Sequence, residues 1–304
     1  MQYKLLKLLE TLRKLLYHIY EVIYMREQSQ RFDPRQTMKR EGFEVFHYRE
    51  PRPSGVEVHH HDFYEVYYLL GGEVEYWVDG RILKMRPGDL LLISPMELHR
   101  PVPSEDSRVY ERIVLWINKE YLENHTGLSR CFDMTLPGRS HLLHPTSAER
   151  LGLTERMGSL VREFYSKDLG AEQAAYGLFL QLMVQINRIA MRSNEQQEDA
   201  RQLSGTVQAA ISYITENLSQ PMTLESVAEQ VYVSKYHLSH AFSREVGVSL
   251  YRYILLRRLI LARQLLSEGE PAGQVSRSCG FSDYTSFYRA FRSEYGISPR
   301  EFTA

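Results

Sequence analysis

The sequence predicts an α+β protein in two parts: a small antiparallel β-barrel with two flanking helices, then an all-α domain containing two helix-turn-helix motifs. Three observations carry this reading. Between Gly42 and about Val114 the chain runs in short alternating segments rich in aromatic and β-branched residues. After Pro145 the apolar residues recur with a helical period instead. In the last third, a ten-residue segment nearly occurs twice: LSHAFSREVG from Leu238 and FYRAFRSEYG from Phe287, 49 positions later.

Composition sets the bounds. A chain of 304 residues is long enough for two domains, each with its own core. Net charge is −1, and from Gly205 onward ten Lys or Arg stand against nine Asp or Glu. A nucleic-acid face must therefore come from local arrangement rather than bulk charge. Cys131 and Cys279 lie far apart with no CxxC pair, which indicates neither a zinc site nor a disulfide framework and fits a reducing cytoplasm. No apolar run is long enough to span a bilayer.

Taken in order, residues 1–37 read as a basic amphipathic helical extension, with Leu5, Leu8, Leu9, Leu12, Leu15, Leu16 and Ile19 on one side. Its charges argue against a secretory signal. A partner-packing helix, a membrane-surface helix and an upstream translational extension, with Met25 or Met38 as the start, all remain open. Residues 38–145 form the barrel, with FEVFHY, VEVHHHDFYEVYYLL, EVEYWVDG, RILKM and DLLLISP as strand-like runs and Asp79-Gly80 as a hairpin turn. Residues 146–192 form two helices that serve as connector and dimer interface. The first has its stripe at Leu153, Met157, Leu160, Val161 and Phe164, the second at Tyr176, Leu180, Met183, Val184, Asn187 and Ala190. Residues 193–204 carry no apolar stripe and read as an exposed linker.

Residues 205–304 contain the repeat. Thr223 caps a helix with Leu224, Val227, Ala228 and Val231 on its apolar side, and a tight turn leads to Ser234, the cap of the next. That second helix buries Leu238, Ala241 and Phe242, and Gly247 ends it. Two helices joined so closely are a helix-turn-helix. On the outer side Tyr236, Ser239 and His240 fall at i, i+3 and i+4, where a recognition helix meets base edges, with Lys235 and Arg244 placed for phosphates. The second copy has Val275 and Cys279, the turn Gly280-Phe281, a cap at Ser282 or Asp283, buried Phe287 and Phe291, and the outer stripe Thr285, Tyr288 and Arg289. Arg289 can pair bidentately with guanine. Between the copies, LYRYILLRRLILARQLL forms a helix that sets their separation.

The stretch from about Ile211 to Phe302 resembles the DNA-binding domain of AraC/XylS-type transcription regulators. PMTLESVAEQVYVSKYHLSHAF, GVSLYRYILLRRLILARQLL and CGFSDYTSFYRAFRSEYGISPREF carry the likeness. It implies base contacts from Tyr236, Ser239, His240, Thr285, Tyr288 and Arg289, the six positions that helix geometry also selects. The chain departs from the family pattern at Ala272, Gln274, Val275 and Ser276, at Thr303, where a terminal Arg is common, and at His240, where Arg is frequent.

In the barrel, His59, His61, Phe63, Glu65 and Tyr67 share one strand face, and His99 follows downstream. Turned inward, this face brings imidazoles and a carboxylate together. The run resembles the cupin pattern HxHxxxE…G…PG…H, here His59, His61, Glu65, Gly72, Pro87-Gly88 and His99, so the barrel is read as cupin-like. The resemblance leaves three readings: an effector pocket without metal, the metal centre of a cupin enzyme, or a rim of hydrogen-bonded histidines. With a DNA-binding domain attached, the pocket is preferred, formed by His59, His61, Glu65, Tyr67, Trp77 and His99, with Tyr67 and Trp77 placed to stack on a sugar. The expectation is thus a cytoplasmic, homodimeric, non-enzymatic regulator with no cofactor. It binds double-stranded DNA under control of a small molecule, with a carbohydrate as the candidate class and RNA polymerase as an admissible further partner. The alternative is a metal-dependent cupin enzyme tethered to a DNA-binding domain.

Overall fold

The computed structural model describes residues 36–51, 56–104, 106–107, 109–125, 127–136, 139–192 and 200–303. The predicted N-terminal helix and residues 193–199 of the predicted linker lie outside them. Two compact units meet between Arg201 and Gln202.

The first unit holds β1 (Phe43–Glu50), β2 (Tyr64–Gly71), β3 (Val74–Val78), β4 (Arg81–Met85), β5 (Leu90–Ile93), β6 (His99–Pro103), β7 (Tyr110–Ile117) and β8 (Leu142–Leu143), and a short strand β9 (Ala200–Gln202) spans the boundary. One sheet has the order β1-β7-β2-β5-β8, the other β6-β3-β4-β9. Every pairing with a described register is antiparallel. Asp79 and Gly80 turn β3 into β4 with φ of 40° and 93°, as a two-residue hairpin demands. Residues 200–202, inside the predicted linker, form an edge strand, with Gln202 exposed.

Alternation along β2 explains how the five-stranded sheet serves two cores. Tyr64, Val66 and Tyr68 belong to a cluster shared with helices, whereas Tyr67 and Leu69 join Tyr76, Leu83, Met85, Val114 and Trp116 between the two sheets. The helices against the outer face are α1 (Lys119–Glu123), α2 (Ser147–Tyr165) and α3 (Ala171–Arg192). A capping box of Thr146 and Glu149 starts α2. Its predicted stripe holds: Leu153, Met157, Leu160 and Val161 are buried. The stripe predicted on α3 holds only in part: Met183 and Ala190 are buried as expected and Leu180 packs partly against the core. Burial follows Ala175, Phe179, Leu182, Met183, Ile186 and Ala190, while Tyr176 and Val184 stay exposed. The whole of α3 is apolar enough that its sequence period allowed more than one phase, and Phe43, stacked on Phe179 at 4.7 Å, selects the face.

The second unit contains α4 (Gly205–Glu216), α5 (Leu224–Gln230), α6 (Lys235–Val246), α7 (Leu250–Ser267), α8 (Ala272–Ser278), α9 (Tyr284–Tyr295) and α10 (Pro299–Phe302). Helix α7 lies between the two helix pairs. On one side Tyr253 meets Phe242 edge to face, and on the other Leu259, Ala262 and Leu266 pack with Val275, Cys279, Phe287 and Phe291.

Candidate functional site

Both helix pairs are built by the same local devices. Thr223 caps α5 in a reciprocal box with Ser226, and Ser234 caps α6 by accepting from the backbone N–H of His237. In the second pair Asp283 rather than Ser282 is the cap, accepting from the N–H of Ser286. Helices α6 and α9 end at Gly247 (φ 92°) and Gly296 (φ 75°), whose left-handed backbone suits glycine.

The repeated identities turn out to be scaffold. Phe242 and Phe291 are fully buried. Glu245 accepts from the backbone N–H of Ser204 at 2.8 Å, and Glu294 accepts from Arg252 at 2.8 Å, so each carboxylate ties its helix to a neighbour. Ser249 and Ser298 cap the next helix in each case. Sequence reasoning missed Arg258, which lies in the helix between the two copies. Its guanidinium donates to the carbonyls of Leu218 and Gln220 at 3.1 and 2.7 Å and underlies Gly280, so it links the first helix pair to the turn of the second.

Between these anchors the outer stripes are accessible. Tyr236, His240, Thr285 and Arg289 are exposed, and Ser239 and Tyr288 are half-buried. The guanidinium of Arg289 makes no hydrogen bond or ion pair with any described residue. Tyr288 accepts from Arg292 at 3.3 Å. The two residues expected at phosphates are already in surface ion pairs, Lys235 with Glu225 at 3.0 Å and Arg244 with Glu245 at 3.2 Å. Both cations are solvent-exposed, and ion pairs at the surface contribute little and leave the cations able to exchange partners.

In the first unit, the histidine run does not continue β2. It bends at Asp62-Phe63, and His59 pairs through its backbone with His99 of β6, bridging the two sheets. The predicted inward face survives the bend: His61 stacks on Phe63 at 3.9 Å, and ligand-type atoms of His61, Glu65 and His99 lie within 4.8 Å of one another. His59 stands beside them, its ring 4.2 Å from that of His99.

Trp77 is the exception. It is buried, but strand alternation puts it on the opposite face of β3 from Tyr76, and it does not line the cavity. Tyr76 and Trp116 take the aromatic places instead, donating to the two oxygens of Glu65 at 3.5 and 2.8 Å. The parity of Tyr76 with Val74 and Val78 was a usable signal in the sequence. Trp116 offered none, because every residue of β7 is buried.

Electrostatics follow from this enclosure. Burial lowers His59 to about 4, with its hydrogen bond to the Glu57 carbonyl opposing. Burial, reinforced by His59 and His61, holds His99 well below the ordinary imidazole range. For Glu65 burial acts upward, but His61, His59 and the Trp116 hydrogen bond together keep the carboxyl below its usual range. The cavity bordered by His59, Glu65, Tyr67, Tyr76 and Trp116 measures about 40 Å³. That is room for a few waters, against roughly 300–1,000 Å³ in ordinary organic-ligand pockets. A larger cleft of about 830 Å³ lies outside the sheets, where Phe43 and Tyr121 face Phe164 and Tyr176.

Residues 42–208 match the AraC-like ligand binding domain, and residues 227–304 match a helix-turn-helix domain. The chain belongs to the AraC family of transcription regulators. As a member of it, the chain is a sequence-specific DNA-binding regulator in which a ligand-binding domain controls a helix-turn-helix domain. This AraC-family chain is 28% identical to the arabinose operon regulatory protein of Salmonella typhimurium over 74% of its own length and 78% of that protein's. It is 25% identical to the HTH-type transcriptional activator RhaS of Salmonella schwarzengrund, over 83% and 90% of the two chains. Among solved structures, it is 33% identical to the C-terminal domain of AraT, a response regulator from Geobacillus stearothermophilus. That match covers 34% of this chain and 87% of the other, with a TM-score of 0.33. Among the described residues, no helix is long and apolar enough to cross a membrane.

Proposed function

We propose that this regulator reads two adjacent major-groove segments, one through Tyr236, Ser239 and His240 and the other through Thr285, Tyr288 and Arg289. Lys235 and Arg244 release their carboxylate partners to meet phosphates. The observation that carries this is the repeat itself: identical anchoring residues present two exposed stripes of unlike chemistry. Residues 205–304 form the DNA-binding domain and 38–145 the cupin-like sensor.

The effector is a small molecule, and the names of the arabinose and RhaS relatives favour a carbohydrate. It is bound rather than turned over. It enters beside His59 and Tyr67, with His61, Glu65 and His99 beneath, after the sheets part. The present volume favours a second seat for it, the cleft beside Phe43, which already has the size of an organic-ligand pocket. Residues 146–192 pair two chains in the cytoplasm: Leu151, Tyr176, Val184 and Met191 leave apolar surface on α2 and α3. Two DNA-bound chains would then read repeated half-sites and present a surface to RNA polymerase.

Selection of bound sequences from random DNA, followed by titration of a sugar panel against the operator complex, tests the reading. A two-part site whose affinity shifts with a sugar is expected. Tyr67→Ala should abolish the shift if the effector sits between the sheets, and Phe43→Ala should abolish it if the cleft is the seat. Binding without base preference would contradict the assignment of the stripes.

A further inference from the structure

We propose that the cleft beside Phe43 binds a small organic ammonium ion, a protonated primary amine carried on an apolar body. That its occupancy controls DNA binding rests on the reading above; that it binds an amine does not.

The walls are aromatic. Phe43 begins β1, Tyr121 stands on α1, Phe164 lies near the end of α2 and Tyr176 stands on α3, so four elements meet around about 830 Å³. The ring of Phe43 lies 5.9 Å from that of Phe164 and 6.4 Å from that of Tyr121, tilted to both. Aromatic rings around a space attract a cation to their faces. One cation is already there: the guanidinium of Arg40 sits 4.1 Å from the centre of the Phe164 ring.

The charged rim calls for another. Glu41, Glu163 and Glu172 border the cleft, against the single positive charge of Arg40. Among the described residues Glu41 and Glu172 make no hydrogen bond or ion pair, and Glu163 has only Arg162, at 3.8 Å. This balance attracts a cationic guest and repels a carboxylate or a phosphate.

Hydrogen bonding narrows the guest further. The Nδ1 atom of His125 lies 2.7 Å from the carbonyl oxygen of Tyr121 and carries the proton, so the neutral ring keeps its lone pair on Nε2. The Tyr176 hydroxyl, 3.0 Å from that Nε2, therefore donates to it. Its oxygen remains an acceptor beside three carboxylates. A guest must then bring donors as well as charge. A primary ammonium has three N–H groups, like that of lysine, whereas a trimethylated nitrogen has none. Simple amines and amino sugars share this head group, and either body has C–H surface to lay on the rings.

The test titrates the full-length chain with phenethylamine, phenethyl alcohol and phenylacetate, which share a ring and differ in charge. The amine should bind saturably, on the order of tenfold tighter than the alcohol, and should weaken with added salt; the carboxylate should bind least. Glucosamine and glucose, run in parallel, show whether an amino sugar or a simple amine is the better source of the ammonium. The double substitution Glu163→Gln, Glu172→Gln should lower amine affinity roughly tenfold. Tyr176→Phe should lower it less, and Glu155→Gln, an exposed carboxylate elsewhere on α2, should leave it unchanged. Equal binding of amine and alcohol, preference for the carboxylate, no saturable binding of either amine, or unchanged affinity in the folded double variant would overturn the site. Should that variant fail to fold, phenethyltrimethylammonium on the wild type decides: it keeps the charge without donors and should bind more weakly than phenethylamine, and equal or tighter binding overturns the proposal. Operator binding on the same samples separates the two readings. Amine bound without any effect on DNA affinity would leave the site and remove its role in sensing.

Discussion

The two helix-turn-helix units solve the same turn with different residues. In the first the chain reverses through Tyr232, whose φ is 56° and whose side chain is 94% exposed. In the second it reverses through Gly280, with φ 75°. A Cβ at Gly280 would stand 2.4 Å from the carbonyl oxygen of Leu218 and 2.8 Å from the guanidinium of Arg258. One turn tolerates a large residue in a strained conformation because it faces solvent. The other permits no side chain because the rest of the domain packs against it. The second unit is therefore the one locked to its surroundings, and it also carries the one permanently charged residue of the two outer stripes, Arg289.

This contrast can be broken most forcefully at the turns. Gly280→Ala should destabilise the second unit by about 2–4 kcal/mol, combining left-handed strain with overpacking against backbone. Tyr232→Gly, at the equivalent turn, should change stability by only about 0–1 kcal/mol, in the stabilising direction, because strain relief and glycine's entropy nearly offset. Denaturant titration of the full-length chain measures both, and equal costs would remove the asymmetry.

The DNA stripes come next in size. Arg289→Ala should weaken operator binding by about 1–3 kcal/mol and relax one base position, whereas Lys235→Ala should lower the salt slope by about one without altering base preference. Binding isotherms across a salt series check both.

The smallest effect lies in the caps. Ser234 does not titrate in this range, but Asp283 does, and its acceptance from Ser286 holds its carboxyl below the ordinary range. A depressed carboxyl adds stability that is present above its unfolded value, about 3.9, and is lost as pH falls through the lower folded value. Acid titration should therefore erode α9 before α6, and Asp283→Asn should remove that difference.

The same comparison explains what could be read from the sequence. Caps, terminal glycines and the apolar faces of α6 and α9 were legible, because each depends on residues three or four positions apart. The anchoring of Arg258 was not: its partners Leu218 and Gln220 lie 38–40 positions away and are backbone carbonyls, which leave no mark on composition. In the sensor, alternation correctly turned Glu65 and Tyr67 inward. For Trp77 the parity that groups Tyr76 with Val74 and Val78 already pointed to the other face, and the residue was assigned by its aromatic type instead. The phase of α3 was recovered only at Met183 and Ala190, because apolar residues occupy more than one side of that helix. The bend at Asp62-Phe63 that brings His59 to β6 depends on a strand almost forty residues downstream.

The central claim is that two structurally matched helices read DNA with unequal chemistry. Selection of bound sequences from random DNA with wild type, His240→Ala and Arg289→Ala tests it most directly. The account predicts a two-part site in which Arg289→Ala erases a guanine preference in one part and leaves the other intact, while His240→Ala relaxes only the other part. Unchanged preferences in both variants, or loss across the whole site in either, would contradict it.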